Sequence, residues 1–322
     1  MSKSLGSLFF KTMEYLLLFF IMAETINTRK KVRNILIVIF VSAFITGIDG
    51  IYQQITGFDF FRKFPLLGSQ MSATFKFSTG FGTYLATVLP LPIAFIASKA
   101  TNKKSKFILI GLCLILLIDL VFAQSRGAWL GFVTGVLFVC LISGRKNFII
   151  AVTLLIMSGI ILSFFAPGAI KEQMKSFLKF GSDASTNEHL IIWKTGWKMF
   201  IDKPVFGHGL NTFMRVFSDF RPKGCNWIMY AHNCFLQMAA EIGIIGLLAF
   251  LWLTFVILWE AMLKFFTLKE GFLRAASLGL IGGLLAYLVH SLFDTNLYSL
   301  PLAVMFWSVA GLAAAKFQID EL

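Results

Sequence analysis

Charge is scarce in this chain. Among 322 residues there are 29 Lys and Arg and 16 Asp and Glu, so charged side chains make up 14%, against the roughly 25% usual for a soluble domain. That shortage, with 57% hydrophobic residues and a mean hydropathy of +0.80, excludes an ordinary water-soluble fold and describes a chain whose main solvent is lipid. Histidine is equally sparse. The four histidines and the acids form no HExxH, no CxxC and no aspartate cluster, so neither a metal ion nor another cofactor is expected. A phosphate-cradling P-loop is also missing. The apolar runs lack the alternation of a barrel strand, which leaves helices as the only elements that satisfy their backbone inside a bilayer. No small-residue cleavage site follows Lys3, so the N-terminal run is not read as a signal peptide.

What the sequence does contain is long apolar runs, each close to the roughly 20 residues that cross a bilayer as helix. About nine are read: Ser7 to Ile26, Asn34 to Ile51, Phe77 to Ser98, Phe107 to Phe122, Ala128 to Ile142, Phe148 to Phe165, Ile242 to Trp259, Ala275 to Leu292 and Leu297 to Ala315. The first is the weakest, because Lys11 and Glu14 interrupt it. The expected fold is an all-α polytopic bundle forming one integral membrane domain. Its parts are N-terminal helices over 1–165, an extracytoplasmic loop over 166–230 and C-terminal helices over 231–322. Short basic stretches fix the orientation, since such loops stay on the cytoplasmic side. Arg29-Lys30-Lys31-Val32-Arg33, Lys103-Lys104-Ser105-Lys106, Gly144-Arg145-Lys146 and the stretch with Lys264, Lys269 and Arg274 all fall on one side when the helices alternate. The N-terminus and the long loop are then outside and the C-terminus inside.

The segment from Ala166 to Tyr230 is too long for a plain connection and too rich in Trp, Phe and Ile to be disordered. Ile191, Ile192, Trp193, Trp197, Met199 and Phe200 alternate with Lys194 and Lys198 as in a helix lying in the interface. Asp202-Lys203-Pro204 should stop that helix, and Gly207-His208-Gly209 supplies a turn free to take positive φ.

The ionisable residues gather at one end. Asp49 ends the second span, Asp119 and Arg126 the fourth, His232 and Glu241 begin the seventh, and His290 and Asp294 end the eighth. All lie toward the outer face in this topology. A transporter places such groups near the midplane, whereas an enzyme acting on a lipid head group places them here. Arg126 by itself reads equally well as an interfacial anchor. Gly127, Gly131 and Gly135, however, form a stripe that admits a neighbouring helix and would hold Arg126 against protein. Asp119, seven residues earlier, is placed on the same helical face and can hold it by an ion pair. His232 taken alone reads as a structural histidine at a helix start, with Asn233 as cap. His290 and Asp294, at i and i+4, read as a structural polar pair. Cys113 and Cys140 are buried thiols. Cys225 and Cys234 are read as unpaired, with a disulfide between them as the alternative.

Taken in order, the motifs become recognisable. Ser125-Arg126-Gly127-Ala128-Trp129-Leu130-Gly131 is followed by Trp193 and by Lys203-Pro204-Val205-Phe206-Gly207-His208-Gly209-Leu210-Asn211-Thr212-Phe213. Next come Ala231-His232-Asn233 with Gln237, Glu241, Gly243 and Gly246, and then His290-Ser291-Leu292-Phe293-Asp294. From about Phe64 onward the chain resembles the O-antigen ligase and polymerase superfamily. The resemblance implies a metal-independent membrane glycosyltransferase of the GT-C type in the bacterial cytoplasmic membrane, its active site facing outward. Its donor would be a glycan on undecaprenyl diphosphate, and its acceptor a lipid, a protein or a further glycan unit. Membrane lipid surrounds it and no nucleic-acid partner is expected. The family arginine falls on Arg126 and the family histidine on His232, beside Asn233 as a substrate-binding residue. Where relatives carry an arginine before the loop tryptophan, this chain has His189. A second phosphate-binding charge must therefore come from His189, Arg215, Arg221 or Lys223. Relatives usually have more N-terminal helices as well.

The chemistry follows from residue type too. Displacing a diphosphate from an anomeric carbon needs cationic groups on the departing phosphates and a base for the acceptor hydroxyl. Arg126 suits the first role because guanidinium stays charged and grips phosphate bidentately. His232 suits the second, and direct attack would invert the anomeric centre. A solute transporter and a non-catalytic membrane scaffold remain as other classes. The first predicts a polar path through the middle of the spans; the second leaves the pairing of Arg126 with His232 without a purpose.

Overall fold

The structure is a computed structural model that describes residues 13–176, 184–222, 225 and 228–317. Its helices are α1 (Met13–Thr25), α2 (Arg29–Thr56), α3 (Ser78–Val88), α4 (Pro90–Ala97), α5 (Lys103–Phe122), α6 (Arg126–Ser143), α7 (Arg145–Phe165), α8 (Gly168–Ser176), α9 (Ala184–Asp202), α10 (Phe213–Phe220), α11 (Cys234–Thr267), α12 (Phe272–His290) and α13 (Leu300–Ala314). Among the described residues there are no strands, only two isolated bridges, Phe58 with Pro65 and Leu67 with Gln70. The protein is an all-helical, multi-pass membrane protein. Among the described residues, seven helical segments are long and apolar enough to span a bilayer: α2, α3 and α4 taken as one, α5, α6, α7, α11 and α12. Two of the nine expected spans differ. The last is the 15-residue α13, and the first is described only from Met13.

Local chemistry sets the boundaries. Thr28, Asn102, Ser125 and Asn233 open α2, α5, α6 and α11, each side-chain oxygen accepting a first-turn backbone N–H that would otherwise lack a partner. The α3–α4 span turns over at Pro90, whose ring removes an N–H from the ladder. The helix α2 ends at Gly57, which takes φ 86°, open to a residue without Cβ.

At the centre lies α12, which approaches its neighbours at backbone distance. A Cβ on Gly135 would stand 2.5 Å from the Gly282 carbonyl oxygen, one on Gly131 would strike the Ala286 carbonyl oxygen, and one on Gly279 would lie 2.7 Å from Leu91 Cα. The stripe expected on α6 therefore does its packing against α12. Gly131→Ala should lower stability by about 1–3 kcal/mol, because the two backbones must part. Gly159→Ala on α7, where nothing lies within 4 Å, should be neutral; a melting temperature equally lowered in both variants would contradict this packing.

Two expectations about the spans are corrected. Asp119 does not hold Arg126: α5 ends at Phe122, Gln124 takes φ 51°, and Arg126 opens the next helix, so the seven-residue spacing does not run along one face. Asp119 instead faces Gly47 and Gly50 of α2, where neither carboxylate oxygen has a hydrogen-bond partner. The helix begun at Ile242 in the sequence reading starts eight residues earlier at Cys234 and is broken at Gly243, with φ 65°.

That break is filled from the outer segment. The Ala240 and Glu241 carbonyls accept the His208 and Gly209 N–H groups at 3.0 and 2.8 Å, and Ile244 N–H donates to the Pro204 carbonyl at 2.8 Å. Gly207, at φ 68°, lies so close that a Cβ would meet the Glu241 backbone. The Glu241 carboxylate reaches past this clasp to accept the Asn211 and Phe213 N–H groups at 2.8 and 3.0 Å, stapling the start of α10. Around it α9 and α10 form a small core of Ile192, Met199, Phe213, Phe217, Ala231 and Ala240. The opposite side of α9 and its following turn leaves Trp197, Ile201 and Phe206 exposed, as suits a layer resting on apolar surroundings.

Candidate functional site

The ends of α5 and α12 and the starts of α3, α6, α11 and α13 meet at one end of the bundle, opposite the basic stretches. Between the chain reversal at Gln124 and α9 lies a cavity of about 390 Å³. Arg126, Gln124, Gln173, His189, Trp193 and His290 are among its lining residues, as are Gln70 from the connection after α2 and Ser78 at the start of α3. That connection is held by Gln53, whose Oε1 accepts the Ser72 and Ala73 N–H groups, both at 2.8 Å. It is tied to the α5–α6 turn by Met71 N–H donating to the Phe122 carbonyl at 3.0 Å and by Gln124 Nε2 donating to Ser69 Oγ at 2.9 Å. Gln173 of α8 closes the same side, its Nε2 donating to the Gln124 carbonyl at 2.8 Å.

Arg126 sits at the first position of α6, and His189 hangs from α9 across the cavity. The His189 ring lies 4.8 Å from that of His232, centroid to centroid, and 6.2 Å edge-on from that of Trp193. His232 Nδ1 in turn lies 3.6 Å from Asp294 Oδ1. The arrangement thus runs from Arg126 through the cavity to His189, His232 and Asp294. His232 adopts φ 47°, a left-handed conformation that a branched-at-Cβ or bulky residue avoids and that carries strain. It is held there from both sides. Ala231 N–H donates to Gln237 Oε1 at 3.1 Å, Asn233 Oδ1 accepts Leu236 N–H at 2.9 Å, and Cys234 N–H donates to the Ser291 carbonyl at 2.8 Å.

The i, i+4 relation of His290 and Asp294 is kept, the Asp294 N–H donating to the His290 carbonyl at 3.1 Å, but α12 ends at His290 and the Asp294 carboxylate also reaches His232. His290 is buried, with Nδ1 2.8 Å from Thr83 Oγ1 and Nε2 3.5 Å from Ser125 Oγ. Burial alone would raise the Asp294 carboxyl. Hydrogen bonding to His232 and the Thr295 N–H outweighs it, so the group is held below its ordinary 3.8. A carboxyl depressed in this way adds stability above its unfolded value and loses it as pH falls through the folded one. It therefore remains an anion beside His232 at any pH near neutrality.

The other anticipated residues are placed apart from the cavity or outside the described chain. Asn233 uses its carbonyl oxygen as a helix cap. Arg215 and Arg221 lie on and just after α10 and are not part of the cavity lining. Lys223 falls outside the described residues. Cys234, like Cys113 and Cys140, is a buried free thiol. Cys234 is turned inward, its Sγ 3.2 Å from Asn296 Oδ1, so the disulfide alternative is not formed. Gln70, Gln124 and Gln173 were not anticipated, since a lone glutamine carries no spacing signal. Trp193, which belongs to the ordered motifs, lines the cavity with an indole N–H that has no hydrogen-bond partner among the described residues.

No curated protein matches the chain in sequence. The family of O-antigen ligases does match, over residues 111–251, a stretch that contains Arg126, His189 and His232 and ends within α11. Through this segment the chain is similar to the O-antigen ligases.

Proposed function

We propose that the protein transfers or polymerises a glycan carried on undecaprenyl diphosphate, at the outer face of the bacterial cytoplasmic membrane. The observation that carries this reading is the sharing of one cavity by Arg126 and His189, with the His232 ring tilted against that of His189 and paired with Asp294. A fixed guanidinium and a histidine–carboxylate pair are the two functions that a sugar transfer from a diphosphate requires. Arg126 grips the departing diphosphate bidentately. His232, oriented by Asp294, accepts the proton of the acceptor hydroxyl as that oxygen attacks the anomeric carbon and the carbon–oxygen bond to the diphosphate breaks. The stereochemistry inverts. His189 supplies a second phosphate contact, and Asn233 an amide donor to the substrate; Arg215, Arg221 and Lys223 are the reserve cations of the outer segment. The outward orientation is supported by the basic stretches at the opposite end of the bundle.

The diphosphate is already a competent leaving group, so no metal is required in this scheme. Transfer by purified protein from a polyprenyl-diphosphate glycan should proceed unchanged in excess chelator. Activity that disappears and returns with added divalent ion would overturn the metal-free step while leaving the residue assignments standing.

His189 gives a separate test. As a phosphate ligand it must be protonated, which a nearby phosphate favours, whereas His232 must be neutral to accept a proton. Transfer should then follow a bell-shaped pH profile. His189→Arg should remove or displace the alkaline limb, since arginine does not titrate there. An unaltered alkaline limb in that variant would transfer the role to Arg215 or Arg221.

A further inference from the structure

A second cavity, of about 660 Å³, opens at the other end of the bundle, where α2, α5 and α12 begin. Arg29, Arg33 and Lys269 line it together with the single acid Glu270, so its rim is cationic. Among the described residues neither arginine makes an ion pair. Arg29 stands over the Phe272 ring, 5.9 Å from its centroid, and Arg33 projects one turn further along α2. The first turns of three helices add their positive ends on the same side. Below the rim the wall becomes apolar through Leu36, Phe40, Phe95 and Leu109. Ile37 then belongs at once to this cavity and to a groove of about 340 Å³ that continues down α2 past Val41 to Ile45. Along a helix rising 1.5 Å per residue, Arg33 to Ile45 covers roughly 18 Å.

A cationic rim that passes without interruption into an apolar groove on the outside of a membrane helix matches a molecule with an anionic head and a long hydrocarbon tail. A soluble anion leaves the groove unused, and a zwitterionic lipid leaves the arginines unneutralised. We propose that this is a binding site for an anionic glycerophospholipid, its phosphate between Arg29 and Arg33 and one acyl chain along Ile37, Val41 and Ile45. Such a lipid clamps α2 to the starts of α5 and α12 at the end opposite the candidate active site. The proposal stands on this cavity alone and does not depend on the transfer reaction.

The test is retention of phosphatidylglycerol against phosphatidylcholine by the full, detergent-purified chain, read by native mass spectrometry. The wild-type protein should prefer phosphatidylglycerol, and Arg29→Gln/Arg33→Gln should weaken its retention roughly twenty-five-fold, about fivefold for each charge near the membrane surface. Lys103→Gln/Lys104→Gln, equal in charge but outside the cavity, should keep the preference. Preference retained in the arginine pair, equal loss in the lysine pair, or displacement of the lipid by inorganic phosphate each overturns the proposal. If the arginine pair yields no folded protein, Ile37→Trp decides, because it blocks the junction with the charges intact. Phosphatidylglycerol should then be lost, and undiminished retention sinks the site.

Discussion

Arg126→Ala is expected to reduce glycan transfer by about a hundred- to a thousandfold, the usual effect of removing one donor aimed at charge that develops in the transition state. The protein should remain inserted, with its helical content intact, because the glycine packing of α6 on α12 lies further along the helix. Arg126→Lys should recover only part of the loss, since an ammonium offers a point charge in place of a planar fork. The loss should fall mainly on kcat if the guanidinium meets the diphosphate most strongly as it departs, and on KM if it grips substrate and transition state alike. Transfer at the wild-type rate in Arg126→Ala would leave the cavity between α6 and α9 without its assigned phosphate ligand.

His232→Ala should reduce transfer by about a hundred- to ten-thousandfold, the range covered by a positioned general base. The telling companion is Asp294→Asn. It keeps the shape of the pair but withdraws the carboxylate that orients the imidazole, so kcat should fall, by less than His232→Ala produces. A purely structural Asp294 would lower stability and leave kcat where it was. Wild-type turnover in His232→Ala would remove the base assignment outright.

Much of this arrangement is legible in the chain, and the illegible parts share a cause. The gathering of Arg126, His232 and Asp294 at one end follows from counting apolar runs and watching where the polar residues interrupt them, whereas His189 enters only through the resemblance. The spacing of Gly127, Gly131 and Gly135 likewise announces a close helix pair, because only a missing side chain lets backbones meet. Pairings that depend on where a helix stops are another matter. Asp119 looks like a partner for Arg126, and His290 for Asp294, only if each pair shares one helix. A left-handed residue at Gln124 turns the first pair apart, and the end of α12 at His290 gives Asp294 a further partner in His232. The start of α11 is hidden for a related reason. Gln237 and Glu241 depress its hydropathy, and their partners, the Ala231, Asn211 and Phe213 N–H groups, come from outside the helix.

The clasp at Gly243 has a consequence for how the chain is made. The first turns of α11 are joined to residues 204–213, already synthesised when they emerge, and to Ser291, which is still to come. His232 therefore receives its outer support early and its carboxylate partner late, once Asp294 has left the ribosome and α12 has been threaded into place. An unfinished chain holds the histidine without the aspartate, and the pair of His232 and Asp294 is completed only after α12 has arrived.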